Sequence, residues 1–393
     1  MDNIKKLSTS DYPEIFELSQ FAFQYKLDDE AMEIKKQEAD RHTIWGYMDD
    51  GSIAAKLHLI PLTIMINGKP FKMGGISSVA TWPEYRRQGM AKKLLFHALN
   101  HMKAAGQTIT FLHPFSFGFY RQYGFEHTFN LKHYTIPVEK MAGRWQGKGY
   151  VRRSELDIPT LNAIYSDYAK RYTGTIMRDD KWWKQRAFKQ VEQIAIAYNE
   201  NNEAEGYIHY YVKKDEMVVK ELAYRTMNGW QLLLEFIANH DSMAKTIKIT
   251  VPENDQLAIL AHEPDFSQHI EPYFMARIVD VQAFLKYYPF ETAVTANESI
   301  TLMVDDPFFS ENEGFYRLTQ KGEKVEVAHG KSNRHNQVAI FCTIQQLTVM
   351  LLGFKRPLEL FELGLIDGDI AEIRKFEEWI PQQSTYYPLA DFF

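Results

Sequence analysis

Arg86-Arg87-Gln88-Gly89-Met90-Ala91-Lys92 concentrates positive charge, a glycine and a small alanine at one point of the chain. Before it runs the β-branched stretch Ser78-Val79-Ala80-Thr81, and after it residues 90–99 carry apolar side chains at helical spacing. The reading is a strand that feeds a helix through a basic elbow. First-turn N–H groups of a helix lack intrahelical partners and the helix dipole adds positive charge there, so this elbow is suited to an anion such as a pyrophosphate. On spacing alone an ordinary strand-turn-helix with a solvated basic face stays equally open.

The elements downstream separate the two. The helix ends near Ala104-Ala105-Gly106, with glycine where a C-terminus favours it, and residues 108–112 read as a strand. Phe115-Ser116-Phe117-Gly118-Phe119-Tyr120-Arg121-Gln122-Tyr123-Gly124-Phe125 follows. This order resembles the GCN5-related N-acetyltransferase (GNAT) superfamily, in which Arg-x-x-Gly-x-Gly/Ala, here Arg86, Gly89 and Ala91, cradles the pyrophosphate of acetyl-CoA and a Phe-Tyr-x-x-x-Gly-Phe segment follows.

A chain of 393 residues exceeds one core and implies two or three domains. A hydrophobic content of 45% with 24% charged residues is that of a globular chain. The net charge of -6 argues against nucleic acid as main partner; it would suit a cationic substrate, although mild acidity is also ordinary for a cytoplasmic protein. The single cysteine, Cys342, excludes an internal disulfide and a cysteine cluster for a metal, and residues 338–343 around it read as a buried strand. No apolar run is long enough for a membrane span and no signal-peptide core follows the N-terminus, so the expected location is cytoplasmic, away from a membrane.

Ahead of the elbow, residues 8–18 read as a capped helix start, and aromatics at 21–25 with Asp28, Asp29 and Glu30 beyond lie where an acetyltransferase commonly borders its acceptor pocket. Turns at 49–52 and at Asn67-Gly68 imply antiparallel hairpins, with His58 a structural residue on one of their strands. Residues 141–149, including Arg144, are Gly-rich and read as a linker. Beyond it the pattern of helix, strands and a strand-turn-helix returns at 158–237, but the turn Arg225-Thr226-Met227-Asn228-Gly229 has neither paired arginines nor Gly-x-Ala, which implies a second, degenerate GNAT-like domain. After residue 283, strands followed by the amphipathic helix 343–353 indicate an α+β unit. The expected fold class is therefore α/β and α+β: a GNAT domain at 1–137, a degenerate one at 138–283 and a unit similar to sterol carrier proteins at 284–393. That layout resembles the Eis (enhanced intracellular survival) acetyltransferase family over the whole length.

The resemblance implies an acetyl-CoA-dependent N-acetyltransferase acting on amines, whether aminoglycoside-like polyamines or lysine side chains, with no metal. Val79, Ala80 and Thr81 would contact the pantetheine arm, with the Val79 N–H as donor to the thioester carbonyl. Arg87, Gln88, Gly89, Met90, Ala91 and Lys92 would hold the pyrophosphate, and Phe115 and Ser116 would line the far side. Tyr120, selected over Tyr123 by the motif register, would be the general acid. The aromatic tail ending in Phe392-Phe393 favours docking, and the resemblance implies that the terminal carboxylate of Phe393 is the base. His113 is a candidate for substrate binding or proton relay, with a structural role equally open. Family members tend to form homo-oligomers, hexamers in particular. A second reading, a non-catalytic acyl-CoA or lipid-binding sensor or carrier, follows from the last domain.

Overall fold

The structure is a computed structural model and describes residues 3–143, 145–189, 192–291, 298–331 and 339–393. Arg144 of the expected linker and Val338 of the expected strand lie outside the described residues.

The first sheet is built from β1 (Ile4–Lys6), β2 (Thr43–Asp49), β3 (Ser52–Ile66), β4 (Lys69–Thr81), β5 (Ile109–Leu112) and β6 (Glu126–His127), with α1 (Tyr12–Phe23), α2 (Asp29–Ala39), α3 (Met90–Ala104) and α4 (Phe117–Arg121) around it. Asn67 and Gly68 both have positive φ, 47° and 73°, as the tight β3–β4 hairpin requires. Crossing through α3, the chain returns as β5 parallel to β4, from Met73↔Ile109 to Ile76↔Leu112. α3 can cover the sheet because Leu94, Leu95, Ala98, Leu99 and Met102, spaced by three and four, all face inward and are fully buried.

The second sheet comprises β7 (Asn130–Pro137), β8 (Tyr150–Ser154), β9 (Gln193–Tyr198), β10 (Ala204–Lys213), β11 (Glu216–Tyr224), β12 (Thr246–Val251) and β13 (Ser267–Pro272), with α5 (Ile158–Ala169) and the helix Met227–Ala238. It repeats the plan of the first: an antiparallel run, a helix, then β12 parallel to β11. The sheets exchange neighbours at their seam. β7 lies between β12 and β13 of the second sheet, and β14 (Met275–Ile278) lies between β5 and β6 of the first. A four-stranded third sheet of β15 (Ser299–Asp305), β16 (Gly314–Lys321), β17 (Lys324–Gly330) and β18 (Ile340–Thr343) packs with the helices Ile344–Leu351, Pro357–Glu362 and Ile370–Trp379. Cys342 is buried in β18, and burial pushes its thiol up to about 12, so it is a core residue.

Two buried arginines, with three carboxylate partners between them, tie the three units together. On β14, the Arg277 guanidinium meets Asp306 at 2.5 Å and donates to the Tyr123 carbonyl, linking the third unit to the turn after α4. Arg178 meets Asp391 of the tail at 2.7 Å and Glu221 of β11 at 2.5 Å. Asp391 also accepts from Trp182 Nε1 at 2.7 Å and Tyr165 Oη at 3.1 Å. With Arg178 removed, two buried carboxylates would be left without their cation. Arg178→Met is therefore expected to lower unfolding stability by about 3–5 kcal/mol; urea denaturation showing a loss below about 1 kcal/mol would mean the network does not hold the units together.

Candidate active site

Strand β4 is irregular at one place. The β3–β4 register runs Lys56↔Ala80 and then His58↔Ser77, so a single residue, Leu57, lies opposite Ser78 and Val79. Ser78 has φ +52°, left-handed for a non-glycine residue. A bulge of this kind disturbs the ladder and re-aims backbone groups. Since the β4–β5 pairing ends at Ile76↔Leu112, β4 continues through Val79, Ala80 and Thr81 beyond its neighbour on that side. The Ala80 side chain is buried against the cluster under α1, whereas Val79 packs on the apolar cluster that holds Tyr120.

Lys56, opposite the bulge, is fully buried. Its Nζ donates to the Ser78 carbonyl at 3.0 Å and the Ser78 hydroxyl at 2.7 Å, and lies 3.4 Å from His58 Nε2. His58 Nδ1 is 3.2 Å from His42 Nδ1. Burial drops the Lys56 ammonium to about 7; burial, the nearby Lys56 charge and neighbouring cations hold His58 well below the ordinary imidazole range.

The elbow after Thr81 carries positive φ at Arg87 (63°) and at Gly89 (76°), the N-cap residue of α3, and no side chain caps this helix. A glycine is needed for that left-handed turn, and the space where a Cβ would stand is open. Arg86, Arg87, Gln88 and Lys92 are exposed and Ala91 is half-buried, whereas the Met90 side chain belongs to the core, leaving only its backbone for a ligand. The equivalent turn of the second sheet is closed. Thr226 Oγ1 accepts from the Gly229 N–H at 3.0 Å, and the Glu205 carboxylate receives Thr226 Oγ1 at 2.9 Å and Asn228 Nδ2 at 2.7 Å. An acidic side chain thus stands beside the helix start that would need to hold an anion, as expected of a domain without its cofactor loop. The uncapped, cation-flanked α3 terminus fits the pyrophosphate of acetyl-CoA.

Tyr120 lies on α4, which starts where Ser116 Oγ accepts from the Phe119 N–H at 3.3 Å. Ser116 is thus a helix cap, and Phe115 beside it is 73% exposed. The Tyr120 ring sits among Phe115, Phe119 and Phe125, and burial pushes its phenol well above the ordinary range. Such a phenol keeps its proton at neutral pH. Tyr123 is held instead against Phe308, with its carbonyl on Arg277.

The tail reaches this region from the far end of the chain. The segment after α5 pairs with it through Thr173↔Thr385, and the Tyr387 ring stacks on Phe274 with centroids 4.3 Å apart. The Phe393 ring lies against Gly75 of β4, where an added Cβ would meet its tip at 2.8 Å, so a side chain at position 75 would push the ring aside. Phe392 stands 5.0 Å from His113 at the end of β5, placing His113 beside the tail. Asp28 caps α2 by accepting from Ala31 at 2.8 Å, and Asp29 and Glu30 are exposed in its first turn.

On its other side, the tail borders a cavity of about 630 Å³ walled by Lys220, Lys248 and His133 of the second sheet, Arg186 and Lys189, and Phe392. Lys220 and Lys248 each have an acidic partner, Glu192 and Glu216, but Arg186 and Lys189 share the single carboxylate of Glu38 with Lys35, which lies outside the wall. The sequence reading missed Lys56, Gly75, Arg178 and Asp391. Lys56 alone left a signal, a lysine that with His58 interrupts the apolar run 53–60.

Residues 3–128 and residues 174–278 each match an acetyltransferase (GNAT) domain family, and residues 281–388 match the sterol carrier protein domain. No curated protein matches the sequence. Among solved structures, a conserved protein from Enterococcus faecalis V583, described as a probable N-acyltransferase, superimposes with a TM-score of 0.91 at 26% identity, covering 99% of each chain. A GCN5-related N-acetyltransferase from Anabaena variabilis follows at 0.86 and 21%, again over 99% of each chain. Eis1 from Mycobacterium abscessus shares the fold at 0.81 and 17%, over 99% of this chain and 100% of its own. With two GNAT domains in tandem and a sterol carrier protein domain behind them, the chain belongs to the GNAT acetyltransferases and has the same three-domain fold as Eis1 from end to end.

Proposed function

We propose that this chain transfers the acetyl group of acetyl-CoA to an amine by direct attack on the thioester. The observation that carries the reading is the convergence on one strand of the bulge at Ser78–Val79, the uncapped α3 terminus and the chain end packed on Gly75. Val79, Ala80 and Thr81 bind the pantetheine arm, and Arg87 to Lys92 bind the pyrophosphate, with Gly89 and Met90 contributing backbone. Phe115 and Ser116 border the cofactor's far side.

An acceptor amine of pKa about 10.4 must lose a proton before it attacks. The Phe393 carboxylate takes that role: it holds the ammonium and accepts its proton, directly or through water. The Val79 N–H donates to the thioester oxygen as charge develops there. Tyr120, protonated at neutral pH, donates to the departing sulfur. The cavity beside Phe392 admits the acceptor. At its wall Arg186 and Lys189 share the one carboxylate of Glu38 with Lys35, an excess of positive charge that favours a monoamine or a lysine side chain over a polycationic, aminoglycoside-like acceptor.

Thiol release from acetyl-CoA across monoamines, lysine peptides, polyamines and aminoglycosides tests the reaction, and absence of turnover with every amine would sink it. Two residues appended after Phe393 should cut kcat by about 100-fold or more while acetyl-CoA affinity stays within about twofold. Gly75→Val should do the same by expelling the ring. Retention of full turnover by both variants would remove the carboxylate from the mechanism. Tyr120→Phe should lower kcat by about 10²-fold with little change in KM, and an unchanged rate would pass the acid role to Tyr123 or water.

A further inference from the structure

Ser78 and Val79 share one peptide group, and its two polar ends face different tasks. The carbonyl end accepts from Lys56 Nζ at 3.0 Å. The other end is the Val79 N–H, which in a trans peptide points away from that carbonyl and so away from Lys56. We infer that Lys56 is a positioning residue for catalysis, clamping the bulge and polarising the Ser78–Val79 peptide so that the Val79 N–H becomes a stronger and better-aimed donor to the thioester oxygen. This rests on the acetyltransfer reading of the site.

The burial of Lys56 has no structural explanation in an ion pair: among the described residues its Nζ reaches only Ser78 and His58, and no carboxylate. A desolvated ammonium is unfavourable by several kcal/mol, so a side chain serving stability alone would be apolar here. Ser78 is held in a left-handed conformation that is unfavourable for an L-residue, and such strain persists where the surroundings over-determine it. Lys56 does so with two donors, on the hydroxyl and the carbonyl of the same residue, while Ser19 Oγ of α1 stands 3.5 Å from the Ser78 hydroxyl on another side. Hydrogen bonds in series polarise one another, by about 10–30% per bond, and a charged donor at the carbonyl strengthens the N–H of the same peptide.

Among the described residues no acidic side chain pairs with this ammonium. His58 from β3 and His42 ahead of β2 are both held toward their neutral forms by burial. Beyond them Glu38 of α2 is committed to Lys35, Arg186 and Lys189. Lys56 is thus a donor held between the His58 imidazole, itself backed by His42, and the bulge, on the side opposite the gap where β4 has left β5.

Lys56→Met, of similar length and without donors, should lower kcat by about 10- to 100-fold with KM for acetyl-CoA within about twofold. Its thermal midpoint should be unchanged or raised, because a buried unpaired charge has gone. Lys56→Gln, an uncharged donor, should fall between it and wild type. The direct readout is the infrared carbonyl stretch of bound acetyl-CoA labelled with carbon-13 at the acetyl carbonyl: lower than in free acetyl-CoA for wild type, and shifted back toward the free value in both variants. An unshifted stretch in the variants, or kcat within twofold of wild type for both, overturns the inference. The stretch needs no turnover, so a Lys56-dependent shift in a protein that acetylates no amine would uphold the clamp while the acetyltransfer reading fell.

Discussion

The architecture depends on a charge cluster that contains no residue proposed to do chemistry. Arg178 sits with its guanidinium 3.8 Å from the centroid of Tyr165 and 4.5 Å from that of Trp183, wholly buried, with Glu221 of the second sheet on one side and Asp391 of the tail on the other. An arginine is suited to this position because its planar fork bonds two carboxylates at once while its faces lie on aromatic rings. The three units thereby acquire one relative placement. The last two residues, which would otherwise fray, are given defined places, Phe393 against β4 and Phe392 beside His113.

That delivery shapes the strand it reaches. Gly75 leaves the space that the Phe393 ring fills, and three residues farther on the strand breaks its register at Ser78. Apolar packing of the terminus and polar clamping of the bulge act on successive parts of β4, one from the tail and one from β3. A small displacement of either would move the proposed donor and the proposed base relative to each other, and catalytic geometry tolerates little of that.

The duplicated plan shows how the same topology keeps or loses a ligand site. Both crossovers run strand, helix, parallel strand. In the first, the helix start is an uncapped left-handed glycine with cations beside it; in the second, Thr226 caps the start and Glu205 brings negative charge to it. Few side chains make that difference, so the fold survives in the second domain while the anion site does not.

Local order was legible in the sequence because it is written locally. The basic elbow, the helical period of α3, the Asn67-Gly68 hairpin, the Phe-Tyr segment around Tyr120 and the weaker second copy all rest on spacings of a few residues, which fix periodicity, turn conformation and caps. The exchange of β7 and β14 between sheets was not legible, since a strand's pattern states which face is buried but not which sheet buries it. The same holds for Lys56, Gly75, Arg178 and Asp391. Each takes its role from a partner 22 to 318 positions away, as between Lys56 and Ser78 or Gly75 and Phe393. The sequence by itself determined what kinds of element form and which residue types can hold an anion or a proton; only the tertiary structure decided which carboxylate meets which arginine and where the chain end comes to rest, because those choices depend on burial and distance across units that no local pattern encodes.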